Sequence, residues 1–143
     1  GQPLWEVMKY VGEDLIDYLT HLRLRLNYID TRSQLWPLGE IDGRPCSALF
    51  LPREEPLPEE PSAGIGHYLR EKALEQSVIV TIYPDRRSSG YGISRYNDHP
   101  AVDFTRIEAE PDVHFAHKSG FVAKTTAPAP ERLLQLARQG VKP

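Results

Sequence analysis

The sequence predicts an α/β domain with a mixed sheet of about five strands, flanking helices and a long N-terminal connector helix. Three observations carry that expectation. Apolar residues recur at steps of three or four from Leu4 to Ile29, the run Ser77 to Tyr83 is β-branched nearly throughout, and Asp42-Gly43 stands between two apolar runs.

In the first segment the periodic positions are Leu4, Met8, Val11, Leu15, Leu19, Leu22, Leu26 and Ile29, one stripe of an amphipathic helix. Such a helix would be about 39 Å long, more than a domain of this size needs along one edge, so part of it is expected to dock on something else. Asp42-Gly43 predicts a hairpin over residues 35–51, with Pro37 and Pro45 at strand starts or on an edge because neither can donate to a ladder. Residues 52–61 hold four prolines and four glutamates and predict a solvated loop. Ser62 is placed to cap a helix running through Ile65, Tyr68, Leu69 and Ala73 to about Gln76. The run Ser77 to Tyr83 predicts a central strand buried on both faces, and Tyr91 to Tyr96 its partner after a turn. Residues 101–109 predict a short helical turn with Val102, Phe104 and Ile107 inward, and Phe121 to Thr125 a further strand. Glu131 to Gln139 predicts a closing amphipathic helix, with Gly140 at its C′ position. Residues 1–33 are thus expected to be a connector helix from a preceding domain, and 34–143 the α/β domain itself.

Composition narrows the function. The chain has 143 residues, enough for one domain whose core needs no cross-link or structural metal. One cysteine, Cys46, can form no internal bridge and no Cys-x-x-Cys pair exists, which implies an intracellular, cytoplasmic setting and no structural zinc. Cys46 itself, in a hairpin strand, reads as a core thiol, and Trp5 and Trp36 as packing aromatics. A net charge of −3 lacks the basic excess of a non-specific nucleic-acid binder, so any phosphate contact must be local. No apolar run approaches the roughly 20 residues of a membrane span.

Chemistry-bearing residues concentrate between Ser88 and Lys124. A strand ending in Ser94-Arg95 delivers a guanidinium at a sheet edge, where it can bind phosphate or pair with a nearby Asp. The loop His117-Lys118-Ser119-Gly120 places an imidazole, an ammonium, a hydroxyl and a residue without Cβ just before a strand, a combination suited to an anion. It has neither the glycine spacing nor the following helix of a P-loop. His114 and His117 with Asp112 or Asp103 form a metal alternative, but i, i+3 histidines converge only on a helical turn. No catalytic nucleophile constellation is present.

Residues 77–139 resemble the substrate-binding C-terminal domain of the DHH phosphoesterase superfamily. The resemblance rests on Ile93-Ser94-Arg95, Val102-Asp103-Phe104 followed by Ile107, His117, Gly120-Phe121 and the helix from Glu131. The string Phe115-Ala116-His117-Lys118-Ser119-Gly120-Phe121 is similar to the Phe-Val-His-x-Ser-Gly-Phe element of the superfamily's melanocyte-proliferating-gene type. Two features depart from the pattern: Ser94 and Arg95 are adjacent rather than one apart, and Val113-His114-Phe115-Ala116 stands where most members carry consecutive glycines.

The resemblance implies that the superfamily's Asp-His-His motif and its Mn²⁺ or Mg²⁺ ions belong to an N-terminal catalytic domain, the expected partner. No Asp-His-His occurs in this chain, and no cofactor is expected in it. It is therefore expected to bind a nucleotide, a short nucleic acid or another phosphorylated substrate without cleaving it alone. Arg95 and His117, helped by Lys118, Ser119 and Gly120, are expected to grip the phosphate. Asn97 is expected to contact the ligand, and Asp103 to orient Arg95 or His117. The rival expectation is a non-enzymatic interaction module whose long helix mediates homodimerisation.

Overall fold

The computed structural model describes residues 2–127 and 129–143, with side chains described from residue 12 onward. Leu4, Trp5, Met8 and Val11 lie outside the described side chains. The elements in chain order are α1 (Gln2–Arg32), β1 (Gln34–Ile41), β2 (Arg44–Phe50), α2 (Ile65–Glu71), β3 (Val78–Pro84), β4 (Tyr91–Arg95), a 3-10 turn (Phe104–Ile107), β5 (Val113–Ala116), β6 (Val122–Thr125) and α3 (Pro130–Gln139). Among the described residues six strands form one sheet in the order β1-β2-β3-β4-β6-β5. The pair β2–β3 is parallel, with α2 in its crossover, and the other four junctions are antiparallel.

The α/β class and the mixed sheet agree with the expectation; the strand count is six rather than about five. The additional strand is β5, four residues on the outer edge beyond β6. It is short and interrupted by a register shift between Val113 and Phe115, so it leaves no alternating pattern to read.

Alternation across the sheet divides the core in two. On one face Ala48 and Phe50 of β2, Val80 and Ile82 of β3, Ile93 of β4 and Ala123 of β6 pack against Phe104, Ile107, Leu133, Leu136 and Ala137. On the other, Leu49, Leu51 and Val78 pack against Leu26 and Ile29 of α1 and Ile65, Tyr68 and Leu69 of α2. Burying a Leu or Ile side chain is worth about 1.5–3 kcal/mol. The last turns of α1 are therefore held as a layer of the domain. Further back on the same helix, Leu15, Ile16, Tyr18 and Leu19 are each at least half exposed.

The hairpin turn is as expected: Asp42 and Gly43 both have positive φ, 52° and 77°, between Ile41 and Arg44. Pro37 lies on the outer strand β1 at a register shift, Trp36 stacks on Phe50 at 4.1 Å, and Cys46 is a buried free thiol. β3 is buried on both faces at every position but Tyr83. Helix α2 starts later than expected and without Ser62 as its cap, because the chain enters it through Gly64 at φ 81°. Gly140 ends α3 in a right-handed rather than a left-handed conformation, and its reason is contact. A Cβ at that position would overlap the ring of Phe104, on which α3 rests.

Candidate functional site

The backbones of β4 and the β5–β6 hairpin bring the expected site residues to one end of the sheet. Ser94 pairs with Val122, the Arg95 N–H donates to the Phe121 carbonyl at 2.8 Å, and the His117 N–H donates to the Val122 carbonyl at 2.9 Å. Their side chains have different partners. Arg95 follows Ile93 by two residues and shares its face, directed at the α3 side of the sheet. His117 lies just beyond the end of β5, and its ring is 4.7 Å from that of Phe121. The two groups expected to meet over one phosphate each have their own partners within the domain.

Arg95 is engaged within the domain. Its Nη1 donates to the Val102 carbonyl at 3.1 Å and its Nη2 pairs with Asp98 at 2.8 Å, leaving the side chain 18% exposed. The guanidinium therefore braces the 96–102 loop, in which Asn97 and Asp98 both take positive φ. Asn97 is exposed and lines a cleft of about 930 Å³ between the β1–β2 hairpin, the 96–101 loop and the C-terminal residues 141–143.

Asp103 orients neither Arg95 nor His117. Its Oδ1 accepts from the Thr105 hydroxyl at 2.7 Å and the Thr105 N–H at 3.0 Å, capping the 3-10 turn, and these bonds hold its carboxyl below the usual aspartate range. Gly120 packs on this cap at φ 82°, and a Cβ there would overlap Asp103 Oδ1. The Gly120 N–H donates to the His117 carbonyl and its own carbonyl accepts from Phe104 N–H, both at 2.9 Å. The absence of a side chain at Gly120 therefore serves the junction of two loops, and its amide is spent in the turn rather than offered to an anion.

The His117–Ser119 pair has a defined chemistry. The Ser119 N–H donates to His117 Nδ1 at 3.1 Å, and the Ser119 hydroxyl lies 2.7 Å from the same nitrogen. An amide N–H can only donate, so in the neutral ring Nδ1 is the acceptor and the proton resides on Nε2. Lys118 between them is exposed. The loop thus carries an imidazole N–H and, one residue on, an exposed lysine.

Three residues not expected in the site stand beside it. Phe115 and Phe121 are 44% and 43% exposed, with ring centroids 6.4 and 4.7 Å from that of His117. Phe115 pairs in register with Lys124, whose Nζ lies 3.6 Å from the buried Asp85. Burial alone would raise the Asp85 carboxyl, but the Arg87 N–H, the Ser88 hydroxyl and Lys124 together hold it below its ordinary value. In the sequence Phe115 and Phe121 are indistinguishable from core residues; the exposure of Phe115 follows from the outer position of β5.

Asp112 is held by Arg132 through two bonds of 2.7 Å, Asp103 by Thr105, and among the described residues no group of three or more His, Cys, Asp or Glu side chains is arranged around a common point. No described helix is long and apolar enough to cross a membrane. No protein-family model, curated protein or solved structure matches this chain.

Proposed function

We propose that this chain is the substrate-binding domain of a DHH-type metal-dependent phosphoesterase acting on nucleotides, short nucleic acid or another phosphorylated substrate, and that it performs no catalysis by itself. The observation that carries the reading is the His117–Ser119 pair, which leaves an Nε2 proton as a hydrogen-bond donor in a loop that also carries the exposed Lys118. A donor and a cation in one short loop suit a phosphate oxygen. The short motifs around Arg95, Asp103, His117 and Gly120-Phe121 supply the DHH part of the reading. In this division of labour Mn²⁺ or Mg²⁺ in an N-terminal catalytic domain activates water. Among its described residues this chain has no donor set for such ions. The catalytic domain is then its first partner, and a cytoplasmic location accords with the single buried thiol of Cys46.

In this arrangement His117 and Lys118 contact the phosphate, with Ser119 holding the ring. Arg95, Asp103 and Gly120 act as positioning residues that fix the 96–102 and 117–121 loops against each other, and Asn97 faces any part of the ligand that reaches the neighbouring cleft. Calorimetric titration with a 5′-phosphorylated dinucleotide tests it. His117→Ala and Lys118→Ala should each weaken binding about tenfold, in line with loss of a charge-assisted contact. Equal affinity of both variants and the parent chain would remove the basis for the assignment.

The exposed Leu15, Ile16, Tyr18 and Leu19 of α1 favour a second reading, a module that associates through this helix. Sedimentation distinguishes the two. A tight dimer dispersed by Leu15→Glu together with Leu19→Glu, in a protein without affinity for the dinucleotide, selects the interaction module.

A further inference from the structure

The cleft of about 930 Å³ between the β1–β2 hairpin, the 96–101 loop and residues 141–143 is lined by charges of both signs: Glu40, Asp42 and Glu75 against Arg44, Arg138 and Lys142. Among the described residues none of these six side chains forms an ion pair. Arg138 alone has a hydrogen-bond partner, the Pro37 carbonyl at 3.1 Å. Acids and bases that share one concavity without neutralising each other across it leave charges of both signs open to a ligand.

The two signs come to the cleft from opposite layers of the domain. Glu75 follows Leu74, which packs with α2, whereas Arg138 and Lys142 follow Ala137 and Val141, which belong to the core under α3. Glu75 also has its Oε2 closed off from solvent with no hydrogen-bond partner among the described residues. Carboxylate oxygens left so are costly, and a cation held in the cleft offsets that cost. The lining further holds an amide and a ring N–H. Asn97 is exposed, and His99 Nδ1 accepts from the Ala101 N–H at 3.2 Å, so in the neutral ring the proton is on Nε2. Leu38, Ile41 and Val141 add apolar surface.

We propose that this cleft binds a short zwitterionic peptide of two or three residues with apolar side chains. Its ammonium lies toward Glu75 and its carboxylate toward Arg138 and Lys142, while Asn97 and His99 bond to the peptide linkage. A single amino acid would leave most of a cleft this large empty, whereas an extended peptide reaches about 3.5 Å further with each residue. The site is separate from the His117–Lys118 loop, and the inference does not rest on the phosphate-binding reading.

The test is a ¹H–¹⁵N chemical-shift titration of the full 143-residue chain with three forms of a Leu-Leu dipeptide: free, N-acetylated and C-amidated. The free form should shift the amides of residues 96–101 and 138–142, and each blocked form should bind about tenfold more weakly. Glu75→Gln should weaken the free dipeptide about tenfold and leave the acetylated one unchanged. Lys142→Gln should lessen the penalty of amidation. The spectra themselves establish that the variants are folded. Absence of shifts at about 10 mM dipeptide, equal affinity of the three forms, or a preference for the free ammonium that survives Glu75→Gln would overturn the proposal.

Discussion

Arg95 and His117 are tied to adjacent backbone positions at the start of β6, the Phe121 and Val122 carbonyls, yet their side chains have different partners. The imidazole is held by Ser119 and the guanidinium by Asp98 and Val102, so each has its own partners. Binding of a short phosphorylated ligand should therefore show the two as energetically separate. In a double-mutant cycle, Arg95→Ala and His117→Ala should add within about 0.5 kcal/mol. A coupling energy above about 1 kcal/mol would mean that one ligand bridges both groups.

The contact of Gly120 with Asp103 predicts a stability effect in a residue first noticed for its chemistry. Gly120→Ala sets a Cβ against the carboxylate at a positive φ and should cost about 2–4 kcal/mol in urea unfolding. Asp103→Ala, which removes the cap on Thr105, should cost about 1 kcal/mol. A Gly120→Ala protein as stable as the parent would mean that the two loops are not locked together at this point.

Arg132 joins Asp112 and Glu110 to the start of α3, and its bonds to Asp112 hold that carboxyl below the ordinary range. A carboxyl lowered on folding stabilises the native state fully above its unfolded value, about 4, and the contribution disappears as the pH falls through the folded value. Unfolding free energy should thus decline on acidification below about pH 4. In Asp112→Asn this part of the decline should be missing and the stability at pH 7 lower by about 1–2 kcal/mol. An unchanged acid limb in urea titrations from pH 2 to 7 would assign the acid sensitivity to other carboxylates.

With no metal donor set among its described residues, the chain incubated with Mn²⁺ and a chromogenic phosphodiester should release no product above the buffer rate. Turnover that is lost on chelation would transfer catalysis to this domain and end the proposed division of labour.

Much of the fold is legible because the responsible interactions are local. The Asp42-Gly43 turn requires only two adjacent residues that accept positive φ, and the β3 strand is announced by its own β-branched run. The helical stripe of α1 is equally plain, but which of its leucines are buried depends on where the sheet ends. The site is less legible because it depends on register between segments far apart in sequence. That Arg95 and His117 are brought to the same end of the sheet follows from pairing Ser94 with Val122, which no local pattern encodes. Ser62 has the chemistry of a helix cap, yet the tight entry at Gly64 displaces it. Phe115 has the composition of a core residue and the position of a surface one, since an outer four-residue strand has no layer above it.

The long helix divides accordingly. Leu26→Ala, at a site 2% exposed, should cost about 2–4 kcal/mol, whereas Leu19→Ala, half exposed on the same stripe, should change stability by less than about 0.5 kcal/mol. Similar losses at both positions in thermal unfolding would mean that the whole stripe is covered in solution.

The two outer strands bear on how the chain behaves at high concentration. β1 carries Pro37 and a register shift, so its free border cannot accept a continuous ladder from a neighbour, and β5 is too short and too irregular to offer one. Both borders of the sheet thus resist the edge-to-edge growth that leads to fibrils. Clumping of this protein, where it occurs, should proceed through the apolar flank of its first helix, and mild detergent rather than strand-breaking substitutions should suppress it.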